Sequence, residues 1–464
     1  ARLKCPYTMP LPLPETREQI RVIQSVRKKI AFERASKAPW YAGRLDDIDP
    51  NRLDDLEVWQ RIPVLDKDIL RQHSHASFME QFCITPKAEI AEYWRSGGAT
   101  GRPVYYPRAF EDVNYGLLSW GRSFPAIGID EGDLCHISFP IGIHPAGQIW
   151  ARSAHSFGVG MSWVGAGNAV PSAAQIDLIM TLEPTVLIAM SSFALHLANV
   201  ADADGIDLAD SAVTKVVCSA ETLSQAKRDK LTRVWGAEVY DVFGMSEAGL
   251  MGAEGEAHDG IHIWTDMFHI EVIDVDTGCQ IPYGEIGTFC VTPLWTGHAM
   301  PLLRWNSGDI VSHIEHGASP GRYAELFPMI RHAQRTTGFF KVGGVNVNHA
   351  ELEDFLFQNP LVNDFQGVLV TGDDALETLE LHIEVKRGAD ADAVYAVVAE
   401  ALARIRGGGG PAFIEAVTTR WPGSRPLWPE LKTGITELAA AWDETLITGE
   451  HARWIREHDP VLRF

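Results

Sequence analysis

Apolar positions recur along this chain with two different periods, and the places where the period changes divide it. Between residues 15 and 37 they return every three to four positions among many charges, which predicts an exposed amphipathic helix. From 130 to 300 the pattern shortens. The runs His136-Ile-Ser-Phe139, Val186-Leu-Ile-Ala189, Lys215-Val-Val-Cys218 and Glu238-Val-Tyr-Asp-Val242 read as strands, and each precedes a loop and a helix-like segment. That alternation predicts an α/β domain with largely parallel sheets, whose ligands bind outside the carboxyl ends of the strands. Ser219-Ala-Glu221 and Phe243-Gly-Met-Ser-Glu247 fall at such ends. From about 266 to 314 strand-like pieces dominate, which predicts a small β-subdomain.

Near residue 335 the pattern changes again. A strand pair is expected around 339–347, a helix from Ala350, strands at 366–371 and 378–385, a helix over 391–405 and a loop at Gly407–Gly410. This reads as a separate α+β domain over 335–464, following a larger domain over 1–334. A chain of 464 residues is too long for one ordinary core, and no internal repeat subdivides it differently.

Composition narrows the class. The 46% hydrophobic share is that of a water-soluble globular protein. A net charge of −21 argues against a nucleic-acid or anionic-membrane partner, since neither rewards a strongly acidic face. Cys5, Cys83, Cys135, Cys218, Cys279 and Cys290 lie far apart with no C-x-x-C pair, so neither a zinc ribbon nor a redox dithiol is signalled, and a reducing, cytoplasmic compartment is expected. Ala1-Arg-Leu-Lys-Cys-Pro6 has no apolar signal core, and the apolar stretch from Val186 to Val200 is broken by Ser191, Ser192 and His196.

The strongest chemical signal is Arg95-Ser-Gly-Gly-Ala-Thr-Gly-Arg-Pro103. Gly97, Gly98 and Gly101 let a backbone turn its N–H groups inward, forming a nest of donors suited to a phosphate chain, with Ser96 and Thr100 adding hydroxyls and Arg102 a fixed charge. The same composition also suits a flexible surface turn. The Walker pattern G-x-x-x-x-G-K-[ST] does not fit: Gly97 and Gly101 are one residue too close, Arg102 replaces the lysine and Pro103 the hydroxyl. Further segments follow in order: Tyr240-Asp-Val-Phe-Gly-Met-Ser-Glu247, Gly284-Glu-Ile-Gly-Thr-Phe-Cys-Val-Thr-Pro293, Leu302-Leu-Arg-Trp-Asn-Ser-Gly-Asp309, Gln334-Arg-Thr-Thr-Gly338 with Lys341-Val-Gly-Gly-Val-Asn346, and Ser424-Arg-Pro-Leu-Trp-Pro-Glu-Leu-Lys432.

Taken together, from about residue 20 to 435, these resemble the adenylate-forming superfamily and, within it, the phenylacetate–CoA ligase-like branch, whose motifs read S-S-G-T-T-G-K-P, Y-G-L-S-E, R-Y-R-T-G-D and P-R-S-E-G-K. Arg61-Ile-Pro-Val-Leu-Asp-Lys-Asp-Ile-Leu70 is similar to the branch's P-x-x-x-K-x-x-L stretch. The resemblance implies a large α/β domain under a mobile C-terminal lid. It also implies a two-step acid–CoA ligase that uses ATP, Mg2+ and coenzyme A with a small or aryl carboxylic acid, with a homodimer left open. Glu247 is then the magnesium ligand, since that cation keeps its waters and takes one or two carboxylates. Ser96, Gly97, Gly98, Thr100, Gly101 and Arg102 hold phosphates. Ser219, Ala220 and Glu221 line one face of adenine, and Asp241, Val242, Phe243, Gly244, Met245 and Ser246 the other side. Asp309 takes the ribose hydroxyls, and Arg335 also reaches the nucleotide. Lys432 bridges the substrate carboxylate and the α-phosphate, while Lys341, Gly343 and Gly344 line the pantetheine tunnel after the lid rotates. The acid pocket falls on His136–Ala154, with Ile141, Gly142, His144 and Trp150. His144 and His155 have poor metal spacing and read as ordinary pocket or surface histidines.

The chain departs from the branch in places. Gly97 and Ala99 replace hydroxyl residues in the loop, Gly338 replaces the hinge acid, and Leu427-Trp-Pro-Glu-Leu431 replaces a simpler run before Lys432. Two other functions are compatible with the same motifs: an adenylating enzyme that loads a carrier protein, and a nucleotide-binding scaffold without turnover.

Overall fold

The computed structural model describes residues 12–96, 103–167, 169–315, 318–335, 339–342, 345–371, 377–386 and 414–417. The chain folds as two compact units, Ala1–Leu223 with Leu231–Thr337, and Ser224–Lys230 with Gly338–Phe464.

The helix expected over 15–37 runs from Arg17 to Ala35 (α1). Thr16 caps it by accepting the Gln19 N–H at 3.2 Å, and its Ile20, Ala31, Phe32 and Ala35 face the core. Among the described residues the other helices of eight or more residues are His75–Phe82 (α2), Phe110–Gly121 (α3), Pro145–Ser156 (α4), Ser172–Leu182 (α5), Ser191–Ala203 (α6), Gln225–Trp235 (α7) and His349–Phe357 (α8). Among the described residues none is long and apolar enough to cross a membrane.

The strands of the first unit are Ile90–Arg95 (β1), Tyr105–Ala109 (β2), Leu134–Ile137 (β3), Gly160–Trp163 (β4), Val186–Ala189 (β5), Lys215–Cys218 (β6), Glu238–Met245 (β7), Gly249–Glu254 (β8), Ile261–Ile263 (β9), Phe268–Ile273 (β10), Ile286–Pro293 (β11), Trp305–Ile314 (β12) and Met329–Arg335 (β13). β1 and β2 form their own hairpin, and the rest form one sheet of eleven strands in the order β10-β11-β12-β13-β9-β8-β7-β6-β5-β3-β4.

The two halves of that sheet differ in sense. β4, β3, β5, β6 and β7 pair in parallel. All four residues of β5, inside this half, are buried, as befits a parallel strand covered on both faces, while the edge strand β4 is partly exposed. From β7 to β10 every pairing is antiparallel. The change happens within β7: Glu238–Asp241 pair in parallel with β6, and Val242–Met245 pair antiparallel with the returning β8.

Two expectations are modified by this. The β-rich region is continuous with the parallel sheet rather than a separate subdomain. Phe243, Gly244 and Met245 lie inside the strand, because β8 supplies hydrogen-bond partners past the point where β6 ends.

A buried ion pair ties the antiparallel half to the segment at 60–65. Arg304 and Glu271 have side chains 1% exposed, with Nη2–Oε1 at 2.9 Å and Nε at 3.1 Å from both carboxylate oxygens. The remaining guanidinium donors reach the carbonyls of Gln60 and Ile62 at 2.9 Å and Gly278 at 2.6 Å. Trp59 Nε1 donates to Glu271 at 2.8 Å. Beside it, Leu65 N donates to Arg304 O at 3.1 Å and Asn306 N to Leu65 O at 2.8 Å. Removing two charges from water costs several kcal/mol, and only such complete pairing offsets that cost.

In the second unit, Phe339–Val342 (β14) pairs antiparallel with Val345–Asn348 (β15), and α8 follows directly. Val362–Thr371 (β16) and Glu377–Val385 (β17) pair antiparallel, with Ile414–Val417 (β18) parallel to β17. The helix expected at 391–405 and the loop at Gly407–Gly410 lie outside the described residues.

Arg304→Met strands the Glu271 carboxylate in the core and is expected to cost about 3–5 kcal/mol of unfolding free energy. Arg304→Met combined with Glu271→Met should cost less than the single change. Denaturant titration of both variants measures this, and equal stability of the single variant and wild type contradicts the assignment.

Candidate active site

Loop residues 97–102 join the strands of the β1–β2 hairpin and lie outside the described residues, so Gly97, Gly98, Thr100, Gly101 and Arg102 are not placed. The neck of that loop is defined. Ser96 N donates to Val104 O at 3.1 Å, and the Ser96 hydroxyl accepts the Val104 N–H at 3.3 Å. Arg95 then stands opposite Tyr105 and Trp94 opposite Tyr106.

Strand periodicity puts Tyr106 and Arg108 on one face of β2. Both act on the turn after β7. The wholly buried Tyr106 donates its hydroxyl to Glu247 Oε1 at 2.8 Å. Burial, reinforced by the adjacent carboxylate, raises the phenol well above its ordinary value, so it remains a protonated donor at neutral pH. Arg108 is 2% exposed and lies over the Trp94 ring at 4.3 Å. Its Nη2 donates to the carbonyls of Ser246 and Glu247 at 2.5 and 2.6 Å. Burial lowers the guanidinium pKa, the nearby Asp112 and Glu247 carboxylates oppose that shift, and the group keeps its charge.

The last residues of β7 before that turn require a glycine. A bulge separates Phe243 from Gly244, and a Cβ on Gly244 would stand 2.8 Å from Gly249 O and 2.9 Å from Leu250 Cα. The chain past this point delivers Glu247, 2% exposed, into the space under β2. Lys67 Nζ stands 3.8 Å from the same Glu247 oxygen, on a half-exposed side chain. Lys67 opens a short helix, Lys67–Arg71, that Asp66 caps by accepting the Ile69 N–H at 2.9 Å. That helix follows Leu65, the residue bound to the Arg304–Asn306 backbone.

The segment expected to form the acid pocket reaches the same hairpin neck: Arg95 N donates to Ile143 O at 3.0 Å. Ile141 and Ile143 are exposed, at 43% and 46%, and Gly142 lies between them. His144 precedes α4 without a side-chain cap bond. Gly147 lets α4 pass the Pro140 carbonyl, which a Cβ would approach to 2.6 Å. Trp150 is wholly buried, edge-on to Trp120 at 5.1 Å and Phe124 at 5.5 Å, so it supports α4 from the core side.

Asp309 is 7% exposed on β12, its N–H donating to Ser307 Oγ at 3.1 Å, and it pairs in register with Arg335 of β13. Asp241 N donates to Glu254 Oε2 at 2.8 Å, and Val242 is buried. Phe243 is 6% exposed and packs edge-on to Phe289 at 5.1 Å and His332 at 4.8 Å, while Met245 and Ser246 are half-buried. Beyond β6, Ser219 is 8% exposed, Ala220 takes φ +70° and Glu221 accepts three hydrogen bonds from the start of α6. Lys341 lies on β14 opposite Asn346. Gly343, Gly344 and Lys432 fall outside the described residues.

The structure ties Ser96 and Ile143 to the neck of the hairpin and Glu247 to the face of β2, and adds Lys67, Tyr106 and Arg108, none of which the sequence marks as a site residue. Tyr106 and Arg108 stand two apart in the strand leaving the glycine-rich loop, which is a legible signal. Lys67 is visible in the sequence only as the lysine of the P-x-x-x-K-x-x-L stretch. Glu247 offers one buried carboxylate beside a hydroxyl and an ammonium. Of these groups only the carboxylate is a cation ligand, and one carboxylate suits a hard cation that takes a single protein ligand and keeps its waters, not a closed zinc or calcium cage. Among the described residues no group of three or more His, Cys, Asp or Glu side chains could hold a metal ion.

No family model matches the chain. It is 29% identical over 376 residues to a phenylacetate–coenzyme A ligase of Thermus thermophilus, covering 80% of this chain and 82% of that one. A crystal structure of a 2-hydroxyisobutyryl-CoA ligase in the postadenylation state with 2-HIB-AMP shares its fold at a TM-score of 0.76, with 24% identity over 88% of this chain and 90% of that one. The same ligase in its thioesterification state, with 2-HIB-AMP and CoA, gives 0.63 at 23% identity over 89% and 93%.

Tyr106→Phe leaves the buried Glu247 carboxylate short of a donor. A loss of about 1–3 kcal/mol in stability is expected, while Tyr105→Phe on the opposite face of β2 should lose much less. Thermal unfolding of the two variants side by side measures the difference, and equal effects contradict it.

Proposed function

We propose a two-step reaction for this chain, which belongs to the adenylate-forming superfamily as an AMP-forming acid–CoA ligase. A substrate carboxylate oxygen attacks the α-phosphorus of ATP, and pyrophosphate leaves with the electrons of the α–β bridging bond. The thiol sulfur of coenzyme A then attacks the carbonyl of the acyl-adenylate, its proton is lost, and AMP leaves as the thioester forms.

The observation that carries this reading is the Tyr106–Glu247 hydrogen bond at 2.8 Å. It joins the strand leaving the glycine-rich loop to the acidic turn after β7. A magnesium ion held by Glu247 would supply Lewis-acid stabilisation of the phosphate oxygens. Tyr106 fixes the carboxylate for that task, and Arg108 fixes the Ser246–Glu247 backbone beneath it. Lys67 adds a cation at the same edge. Ser96 and loop residues 97–102 hold the phosphates through N–H and hydroxyl donors. Ser219–Glu221 and Asp241–Ser246 border the adenine, with Phe243 acting from within the core as support. Asp309 accepts from the ribose hydroxyls, and Arg335, its neighbour across the ladder, reaches the nucleotide.

The Arg95–Ile143 bond at 3.0 Å supports placing the acid beside the loop neck, where its carboxylate meets the α-phosphate. Exposed Ile141 and Ile143, with Gly142 and His144, suit an acid with an apolar body, and Trp150 backs them from the core. An arylacetic or a small hydroxylated acid is the substrate class, in keeping with the phenylacetate of the Thermus thermophilus relative and the 2-hydroxyisobutyrate of the fold neighbour. Lys432, from the C-terminal unit, offsets charge at the α-phosphate during the first step. Lys341, Gly343 and Gly344 serve the thiol in the second.

Labelled pyrophosphate should exchange into ATP only when a suitable acid from an aryl and short-chain panel is present. Glu247→Gln should slow that exchange about a hundredfold, the scale of one electrostatic group acting on developing charge. Lys432→Ala should abolish exchange and leave thioester formation from a supplied acyl-adenylate. The absence of exchange with every acid, or equal loss of both steps in Lys432→Ala, contradicts the reading.

A further inference from the structure

Glu221 does not point free into a cleft. Its Oε2 accepts from Ser191 Oγ and Ser192 N, both at 2.9 Å, and its Oε1 accepts from Ser192 Oγ at 2.6 Å. Those donors are the first two residues of α6, a helix of thirteen residues whose N-cap is Met190, a side chain with no oxygen to offer. A helix start leaves N–H groups unsatisfied and carries partial positive charge. Glu221 therefore caps α6 from another element, with a carboxylate where helices ordinarily use their own Ser, Thr, Asp or Asn.

The bond also acts in the other direction. The turn Ser219–Glu221 leaves β6 at Cys218, which is fixed between Ala189 of β5 and Asp241 of β7. Its middle residue, Ala220, is exposed and takes φ +70°, a conformation rare for residues with a Cβ. Such a conformation persists where its surroundings over-determine it. Here the strand holds one end and the three bonds to α6 hold the other.

We propose that Ser191 and Ser192 are positioning residues for the nucleotide: by clamping Glu221 to the α6 terminus they hold the Ser219–Glu221 turn in the shape that borders the adenine. The proposal rests on the reading of this turn as part of the ATP site. This role gives neither serine a direct contact with the nucleotide. Their effect passes through the Glu221 carboxylate into the backbone of Ala220 and Ser219, so it acts on recognition of the base rather than on the phosphates.

The test is calorimetric binding of AMP, GMP and inorganic pyrophosphate to the full chain, which needs no acid and no turnover. Ser191→Ala combined with Ser192→Ala should weaken AMP about tenfold, the scale of the charge-assisted bonds removed, and leave pyrophosphate within about twofold. The preference for AMP over GMP should shrink in that variant, and Ser192→Thr, which keeps the hydroxyl, should restore both. Unchanged AMP affinity in the double variant, with wild type binding AMP, overturns the clamp alone. Equal weakening of AMP and pyrophosphate alongside a lowered unfolding temperature also overturns it, since that marks a merely structural role. A wild-type chain that binds no AMP overturns the clamp together with the assignment of the turn to the nucleotide.

Discussion

A carboxylate that is 2% exposed must have partners, and those of Glu247 organise the candidate site. Tyr106 gives it a hydroxyl from the hairpin strand, Lys67 sets an ammonium beside the same oxygen, and Arg108 binds the carbonyls on either side of its Cα. Each comes from a different part of the sequence than Glu247. Glu247 is the carboxylate at which the hairpin, the turn after β7 and the segment around Lys67 meet.

The mixed sheet makes this meeting possible. A purely parallel sheet would end β7 level with β6 and turn away into a helix. The antiparallel return of β8 lets β7 continue to Met245, with Gly244 leaving room for Gly249 and Leu250 of β8, and the turn that follows carries Glu247 to Tyr106 of β2. The Arg304–Glu271 pair performs the matching task on the other flank. It clasps the carbonyls of Gln60 and Ile62 and so helps set Leu65, two residues before Lys67, against Trp305 at the start of β12, four residues before Asp309. A buried ion pair of this kind specifies one arrangement more than it stabilises any.

Much of this was legible in the sequence. Short runs rich in apolar residues announced β3, β5, β6 and β7, with β5 the case in which a doubly covered strand is apolar throughout. Charged three-to-four periodicity announced α1. The glycine-rich segment announced a loop of unusual backbone freedom, and its flanks do form a hairpin neck at Ser96 and Val104. What was not legible depends on contacts distant in sequence. Nothing in Phe243-Gly-Met245 reveals that another strand pairs with it, so the sequence alone ends the strand at Val242. The Tyr106 hydroxyl bond spans 141 positions, and no local periodicity encodes its partner. Trp150 carries an aromatic signature suited to a pocket, but its place under α4 is decided by Trp120 and Phe124, from a different helix turn and beyond. Glu221 read as a residue facing the nucleotide, and only the positions of Ser191 and Ser192 reveal its second attachment.

The central claim is that Glu247, carried by the turn after β7 and held by Tyr106 of the hairpin, holds a cation against a nucleotide's phosphates. Calorimetric titration of ATP with and without Mg2+, into wild type and Glu247→Gln, tests it most directly. The account predicts that Mg2+ tightens ATP binding to the wild-type chain and that this gain disappears in Glu247→Gln while metal-free ATP binds both alike. A full Mg2+ gain surviving the substitution would contradict it.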